Sequence, residues 1–192
     1  MTEKEVYDLL VETGAIMTGH FALTAGDHSA HYVEKFNVLQ HPAYTARLCR
    51  AIAEHFKDAQ IETVVGPATG GIILAHETGK ELGTRAIFTE RVEGKMTFRR
   101  GFTLREGERV LIVEDIVTTG GSVREVIDVV KQFGGVPVAV AMLVDRSGGK
   151  VNFGDVPSFA LLHMDVKTYK PDDCPLCKEG VPLTKRGSTG KK

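Results

Sequence analysis

The stretch VLIVEDIVTTGGS, residues 110–122, decides how the chain folds. Four apolar residues lead into two adjacent carboxylates, Glu114 and Asp115, as a buried strand that ends at a polar site would. The Thr-Thr-Gly-Gly-Ser turn that follows opens a helix whose apolar spacing continues to about Phe133. Because ligands bind where the strands of open α/β sheets end, this segment predicts both a fold class and the position of a site.

Similar patterns lie on both sides of this segment. They predict strands at 61–66, 85–90, 109–115, 136–144 and 158–164, and helices at 2–13, 42–57, 71–82 and after the TTGG turn. Such alternation predicts an α/β fold with a parallel sheet flanked by helices on both faces. The 192 residues fit one domain. We expect loops with short strands at 15–40, and a disordered basic tail at 184–192.

Composition narrows the class of protein. Lysine and arginine total 24 against 25 acidic residues, a net charge of −1, so we expect no nucleic-acid partner. The three cysteines, an odd and small number, favour a reducing compartment. Neither a signal-peptide pattern nor an apolar run of about 18 residues is present, so we expect a cytoplasmic protein with no membrane partner.

The residues of the TTGGS turn suit an anion. Its glycines let the backbone approach a ligand closely, and the first N–H groups of the helix bind phosphate well. Thr118, Thr119 and Ser122 add hydroxyl donors. Glu114 and Asp115 cannot bind phosphate, but they suit sugar hydroxyls or a magnesium ion. The combination predicts a phosphorylated sugar as ligand.

Three further segments carry possible chemistry. The GPATGG loop, 66–71, also joins a strand to a helix and is either a second phosphate cradle or a plain turn. The basic segment 89–101 is either a mobile loop that neutralises developing charge or an exposed hairpin. Arg146 follows an apolar strand and either binds a carboxylate, pairs with Asp145, or lies in a surface turn.

Residues 110–122 closely resemble the phosphoribosyl pyrophosphate (PRPP) signature of type I phosphoribosyltransferases. Four other segments resemble one subgroup, the orotate phosphoribosyltransferases: GHFALTAGDHSAHYVEKFNVLQHP (19–42), VVGPATGGIILA (64–75), LVDRSGG (143–149) and CPLCKEGVPL (174–183). The resemblance implies the type I fold in a single domain, 1–183, with a small hood from about 1–40 and 150–183. It implies transfer of phosphoribose from PRPP to orotate in UMP biosynthesis, Mg²⁺ as cofactor, and a homodimer with shared active sites.

The resemblance also implies a role for each site residue. Lys95 and Arg91 would be the catalytic loop cations, acting with Glu114 and Asp115, which hold the ribose. PRPP would be bound by Glu114, Asp115, Ile116, Val117, Thr118, Thr119, Gly120, Gly121 and Ser122. The pyrophosphate loop would be Ala68, Thr69, Gly70 and Gly71, and orotate would contact Thr118 and Arg146. The magnesium ion would be held mainly by substrate oxygens, with no certain protein ligand.

The chain departs from the family pattern at several basic positions. Thr24, Gly70 with Gly71, and Val92 stand where many relatives carry a cation, and Thr97 replaces a usual histidine. Two alternatives therefore stay open: a PRPP-dependent enzyme for another base, and a non-catalytic PRPP-binding regulator. Arg146 argues against the first, because a neutral purine does not need it, and Lys95 argues against the second.

The pair Cys174 and Cys177 has no place in this chemistry. One CxxC supplies two ligands, and a tetrahedral zinc site needs two more, for which His163 is the nearest candidate. A reduced packed pair or a labile disulfide are the alternatives. His28 and His31 could be ligands or general bases, although loop histidines are usually neither.

Overall fold

The computed structural model describes residues 1–23 and 26–185 as a two-sheet α/β fold. In chain order the elements are α1 (Glu3–Glu12), β1 (Ile16–Ala22), β2 (His28–Val33), α2 (Phe36–Leu39), α3 (Pro42–Phe56), β3 (Thr63–Pro67), α4 (Gly70–Leu82), β4 (Arg85–Val92), β5 (Lys95–Phe98), β6 (Arg109–Val117), α5 (Gly121–Gln132), β7 (Val136–Asp145), β8 (Ser158–His163), β9 (Thr168–Tyr169), α6 (Pro175–Lys178) and β10 (Thr184–Lys185). No helix in these two ranges is both long and apolar enough to cross a lipid bilayer.

The larger sheet confirms the predicted α/β class. Its six strands run in the order β5-β4-β3-β6-β7-β8, and every neighbouring pair is parallel except the β4–β5 hairpin. The strand that contains the decisive sequence, β6, lies in the interior of this sheet between β3 and β7. The carboxyl ends of β3, β6 and β7 therefore meet at one edge, where the predicted phosphate loops and Arg146 follow them.

Both faces of this sheet are covered, as the apolar runs predict. Leu111 and Val113 of β6 point to one face and pack in a core with residues of α1, α3 and α4. Val110 and Ile112 point to the other face and pack with α5. All four of these side chains are fully buried, so the strand holds the residues after Val113 in a fixed position.

A smaller sheet forms the predicted hood. Its order is β10-β1-β2-β9, which joins an N-terminal hairpin to two short strands from the end of the chain. Thr184 and Lys185, expected to begin a disordered tail, instead pair with Phe21 and Ala22. The rest of the predicted tail, 186–192, lies outside the described residues, as does Thr24.

The basic segment folds as a hairpin rather than an irregular loop. Strand β4 continues to Val92, which pairs with Lys95 across a two-residue turn. Glu93 and Gly94 form that turn with φ values of 50° and 83°, the left-handed conformation that tight hairpins require. The shape of residues 89–101 is therefore the hairpin of the second interpretation, and the role of its cations in neutralising charge stays a prediction.

Candidate functional site

The two carboxylates lie side by side at the end of β6. Glu114 and Asp115 are 8% and 4% exposed. A Glu114 oxygen accepts a hydrogen bond from the Asp115 N–H at 3.0 Å, and Asp115 Oδ1 accepts one from the Ile116 N–H at 2.6 Å. These bonds fix the direction of both side chains, so their free oxygens form a preorganised acceptor surface.

Burial makes this pair electrostatically unusual. Loss of hydration, followed by the nearby charge of Asp115, raises the pKa of Glu114 to about 8. Lys35 opposes this effect, because its Nζ lies 3.0 Å from Asp115 Oδ2. Sequence reasoning missed Lys35. It precedes the four-residue helix α2, and no local pattern connects it to a strand 80 residues later.

The turn after β6 forms a cavity of about 200 Å³. Its lining consists of Glu114, Ile116, Val117, Thr118, Thr119, Gly120, Gly121, Ser122 and Val123. Gly120 caps α5 at φ 76°, and a Cβ there would lie 2.7 Å from Val151 and 2.8 Å from Phe153. The N-cap residue of α5, Gly120, has no side chain to satisfy the first N–H groups of the helix, and residues 121–123 of the first turn line this cavity. The site is thus a helix N-terminus shaped for an anion, next to the carboxylates.

The GPATGG loop lies directly against the carboxylate of Asp115. A Cβ on Gly70 would be 2.0 Å from Asp115 Oδ2, and one on Gly66 would be 2.0 Å from the Gly71 carbonyl oxygen. The Ala68–Thr69 peptide is cis, and both residues are exposed at the start of α4. The structure therefore brings a second helix N-terminus to the acidic pair, and it leaves no room for a side chain where many relatives carry lysine.

The hairpin cations differ in their surroundings. Arg91 donates to the Gly94 carbonyl at 2.7 Å and to Glu125 of α5 at 2.8 Å. Arg100 makes two hydrogen bonds of 2.9 Å to Glu90. Lys95 has no ion-pair partner in the part of the chain that the structure describes, and none of the described contacts joins Lys95 or Arg91 to the acidic pair. Among the described residues, Lys95 and Arg99 are the cations of residues 89–101 that have no ion pair.

Arg146 lies just past the end of β7, with its backbone N–H bonded to the Val117 carbonyl at 2.7 Å. Its Nε is buried without a hydrogen-bond partner among the described residues. Burial lowers the pKa of Arg146, and Tyr32 of the hood opposes that shift. Asp145 does not pair with it, because its carboxylate accepts the N–H groups of Ser147 and Gly149. A buried donor without a partner is costly, so the geometry favours an anionic ligand at this position.

The histidines lie elsewhere. His28 is buried against His20 in the hood, and His31 is only partly buried on the same strand. His163 is exposed, and its Nδ1 lies 2.6 Å from Glu3. None of the described hydrogen bonds links any of these rings to the acidic pair or to Arg146.

Comparison with known proteins agrees with this geometry. The family described as Phosphoribosyl transferase domain matches residues 36–158. A protein of Desulforamulus reducens named orotate phosphoribosyltransferase is 53% identical over 188 residues, 98% of each chain. One of the same name from Heliobacterium modesticaldum is 54% identical over 190 residues, covering 98% of this chain and 99% of the relative.

Solved structures share the fold at lower identity. The orotate phosphoribosyltransferase of Mycobacterium tuberculosis with inorganic phosphate has a TM-score of 0.69 at 23% identity, covering 84% of this chain and 95% of that one. The adenine phosphoribosyltransferase of Rhodothermus marinus has a TM-score of 0.63 at 22% identity, covering 82% and 99%. The fold alone therefore does not distinguish an orotate enzyme from an adenine enzyme.

Proposed function

The chain belongs to the phosphoribosyl transferase family, and on that basis we propose that it is an orotate phosphoribosyltransferase. It transfers the 5-phosphoribosyl group of PRPP to orotate, giving orotidine 5′-monophosphate and pyrophosphate for UMP biosynthesis. The Nε of Arg146, which is buried without a hydrogen-bond partner among the described residues, carries the choice of base. It lies past the end of β7, next to the strand that bears the acidic pair, and orotate has a carboxylate that adenine and hypoxanthine lack.

The reaction needs no covalent protein nucleophile. A ring nitrogen of orotate, after losing its proton to solvent, attacks C1 of the ribose through a cationic, oxocarbenium-like centre. The bond from C1 to the pyrophosphate oxygen breaks, and pyrophosphate leaves with the bonding electron pair. In this proposal Glu114 and Asp115 accept hydrogen bonds from the ribose hydroxyls, and residues 118–122 hold the 5′-phosphate. Residues 68–71 hold the pyrophosphate, Thr118 and Arg146 hold orotate, and Lys95 with Arg91 neutralises the departing charge.

The residues present fit a magnesium ion held mainly by substrate oxygens. Glu114 and Asp115 offer carboxylate oxygens, the hard ligands that Mg²⁺ accepts, directly beside the proposed pyrophosphate loop. When bound, Mg²⁺ would supply neutralisation of the pyrophosphate charge. Lys35 supplies a fixed positive charge at the same carboxylates, which partly compensates for the lysine missing at Gly70 and Gly71.

Two further parts of the proposal concern the assembly and the compartment. We place the enzyme in the cytoplasm, because all three cysteines are free of disulfides and pyrimidine synthesis takes place there.

We also propose a homodimer in which the β4–β5 hairpin serves the active site of the partner. The absence of a described contact between Lys95 and the acidic pair of its own chain supports this arrangement.

The function is tested by a magnesium-dependent assay with PRPP that follows the loss of orotate absorbance. Adenine, hypoxanthine, guanine and uracil are assayed in parallel, with pyrophosphate release as the common readout. We expect turnover with orotate alone. Turnover with a purine alone would contradict the assignment of Arg146, and tight PRPP binding without turnover would support the regulator instead.

The acidic pair predicts a pH dependence. Below its pKa of about 8 Glu114 is neutral, and above it the carboxylate is ionised and stabilises the cationic ribosyl centre. We therefore expect kcat/KM for PRPP, which reports groups of the free enzyme, to rise with pH, to reach half of its maximum near pH 8 and to level off at higher pH. Because Lys35 lowers the pKa of Glu114, Lys35→Ala should move this limb to higher pH.

Two variants distinguish a pH dependence caused by Glu114 from one caused by the titration of PRPP itself. Glu114→Gln removes the ionisable group, so kcat/KM should be low and should no longer rise with pH. Lys80→Ala removes a lysine that is paired with Glu77 on α4, and it should keep the wild-type profile. Coincident pH profiles for the wild type and Lys35→Ala would show that Lys35 does not act on Glu114.

A further inference from the structure

Four potential metal ligands meet in the hood, away from the proposed active site. His20 and His28 come from β1 and β2, and Cys174 and Cys177 come from the segment that begins α6. Their four ligand atoms all lie within 4.8 Å of one another, and Cys177 alone among the four residues is exposed. Neither cysteine forms a disulfide. The two halves of the cluster are separated by more than 140 residues in the chain.

The distances within the cluster fit a tetrahedron. His20 Nε2 lies 3.0 Å from His28 Nδ1, 3.5 Å from Cys174 Sγ and 3.7 Å from Cys177 Sγ, and Cys177 Sγ lies 3.3 Å from His28 Nδ1. Tetrahedral zinc with ordinary bond lengths has N–N edges of about 3.3 Å and N–S edges of about 3.6 Å. The arrangement is therefore close to that of a Cys₂His₂ site before any movement of side chains.

Hydrogen bonding alone does not explain this convergence. His20 Nδ1 lies 2.7 Å from the Val181 carbonyl oxygen, which can only accept, so Nδ1 carries the proton. In the neutral ring Nε2 then has a single lone pair, yet three potential donors surround it. One lone pair satisfies one donor well, whereas a metal ion satisfies all four groups. A ligating histidine whose other nitrogen donates to a backbone carbonyl is the usual arrangement around zinc.

The C-terminal segment also lacks any other firm anchor. Between His163 and Lys185, Cys174 is the one buried residue. The remaining attachments include two short strand pairings and an exposed ion pair from Lys170 to Asp27. Single hydrogen bonds also join the segment to the rest of the chain at the carbonyls of Lys167 and Val181 and at the Met164 N–H. Exposed ion pairs contribute little to stability, so the hood needs a stronger link to this segment.

We propose that His20, His28, Cys174 and Cys177 form a structural zinc site that fastens the C-terminal segment to the hood. All four positions are filled by protein ligands, as structural rather than catalytic zinc sites require. Both cysteines bind as thiolates, so two thiol protons are released when the ion enters. His163, the nearest histidine in sequence, is not part of this cluster, and its Nδ1 instead lies 2.6 Å from Glu3 at the start of α1.

The test measures metal, not activity. The full chain is purified under reducing conditions without chelator. Its zinc content is then measured by inductively coupled plasma mass spectrometry. We expect about one zinc per chain. Replacement by Co²⁺ should give thiolate-to-cobalt charge-transfer absorption and the intense visible bands of a tetrahedral ion.

Variants and proteolysis then assign the site. Cys177→Ser and His20→Asn should lose zinc to a chelator that leaves the wild type loaded, whereas Cys49→Ala and His163→Asn should retain it. Removal of zinc from the wild type should speed tryptic cleavage at Lys167 and Lys178, with the large sheet left intact. Protein that neither contains zinc nor gives the cobalt thiolate bands would overturn the proposal. So would a Cys174–Cys177 disulfide in the reduced preparation, or zinc that persists in the Cys174→Ser, Cys177→Ser double variant.

Discussion

Replacing Lys95 with alanine is expected to lower kcat by about 10²–10³-fold, the cost of removing one group that stabilises transition-state charge. Lys95 begins β5 at the end of an ordered hairpin and has no ion-pair partner in residues 1–23 and 26–185. Arg91 and Arg100 of the same hairpin are already engaged by Glu125 and Glu90. Because Lys95 acts on the departing pyrophosphate rather than on ground-state binding, the KM for PRPP should change much less than kcat.

Steady-state assays with both substrates varied measure this effect. Lys95→Arg should recover part of the lost kcat, because it restores the charge with a different shape. Lys131→Ala removes an exposed lysine from the last turn of α5 and is the matched control, with kcat unchanged. A kcat for Lys95→Ala that stays within a few-fold of the wild type would remove Lys95 from the mechanism.

The same variant tests the shared active site. In a mixed dimer, the Asp115→Asn chain keeps Lys95 and the Lys95→Ala chain keeps Asp115. If each hairpin serves the partner, one of the two active sites then contains both residues intact. Recovery of about a quarter of wild-type activity is expected after mixing and reassembly, since half the dimers are mixed and half their sites are complete. If each hairpin serves its own chain, mixing will restore nothing.

Arg146→Ala is expected to raise the KM for orotate by about 10²-fold, because truncating one partner of a buried charged pair is costly. In the present structure the Arg146 Nε is already buried and unpartnered, so a bound carboxylate would satisfy it fully. The KM for PRPP should stay nearly constant, because the phosphate and ribose groups contact other residues. Uracil lacks the carboxylate, so the variant should lose most of the preference for orotate over uracil.

Two further substitutions test whether the planar guanidinium of Arg146 is the cause of the change in the KM for orotate. Arg146→Lys keeps the positive charge but not the planar pair of donors, so it should recover only a small part of the orotate affinity. Arg50→Ala removes an arginine that pairs with Glu81 on the surface, and it should leave both KM values unchanged. An orotate KM for Arg146→Ala close to that of the wild type would place the base elsewhere.

The large sheet was predictable because its signals are local. Residues 110–122 contain an apolar run, two acids and a glycine turn in one continuous stretch, and the predicted strand and helix both formed there. The boundaries moved by a few residues where pairing extended the strands. Strand β6 continues from the predicted end at Asp115 to Val117 because β7 pairs with it that far. Strand β4 similarly extends to Val92 because β5 pairs with it.

What the sequence did not reveal depends on distant contacts. Lys35 reaches Asp115 across 80 positions, and its own neighbourhood shows only a short helix. In sequence His163 is the histidine nearest to Cys174, whereas the fold brings His20 to Cys174 from 154 residues away. Residues 15–40 gave mixed signals because their strands pair with the end of the chain.

The two anion loops have a consequence for how this enzyme could diverge. Their contacts to ligand would come largely from the main chain, and side chains at Gly66 and Gly120 would collide with neighbouring atoms. Substitutions at these glycines therefore cannot add a useful side-chain contact, and most of them would distort the loop. New base preferences would have to arise at Thr118, at Arg146 and at the hood residue Tyr32 near Arg146. Libraries that aim at altered nucleobase specificity should vary those positions and leave the glycines of both loops unchanged.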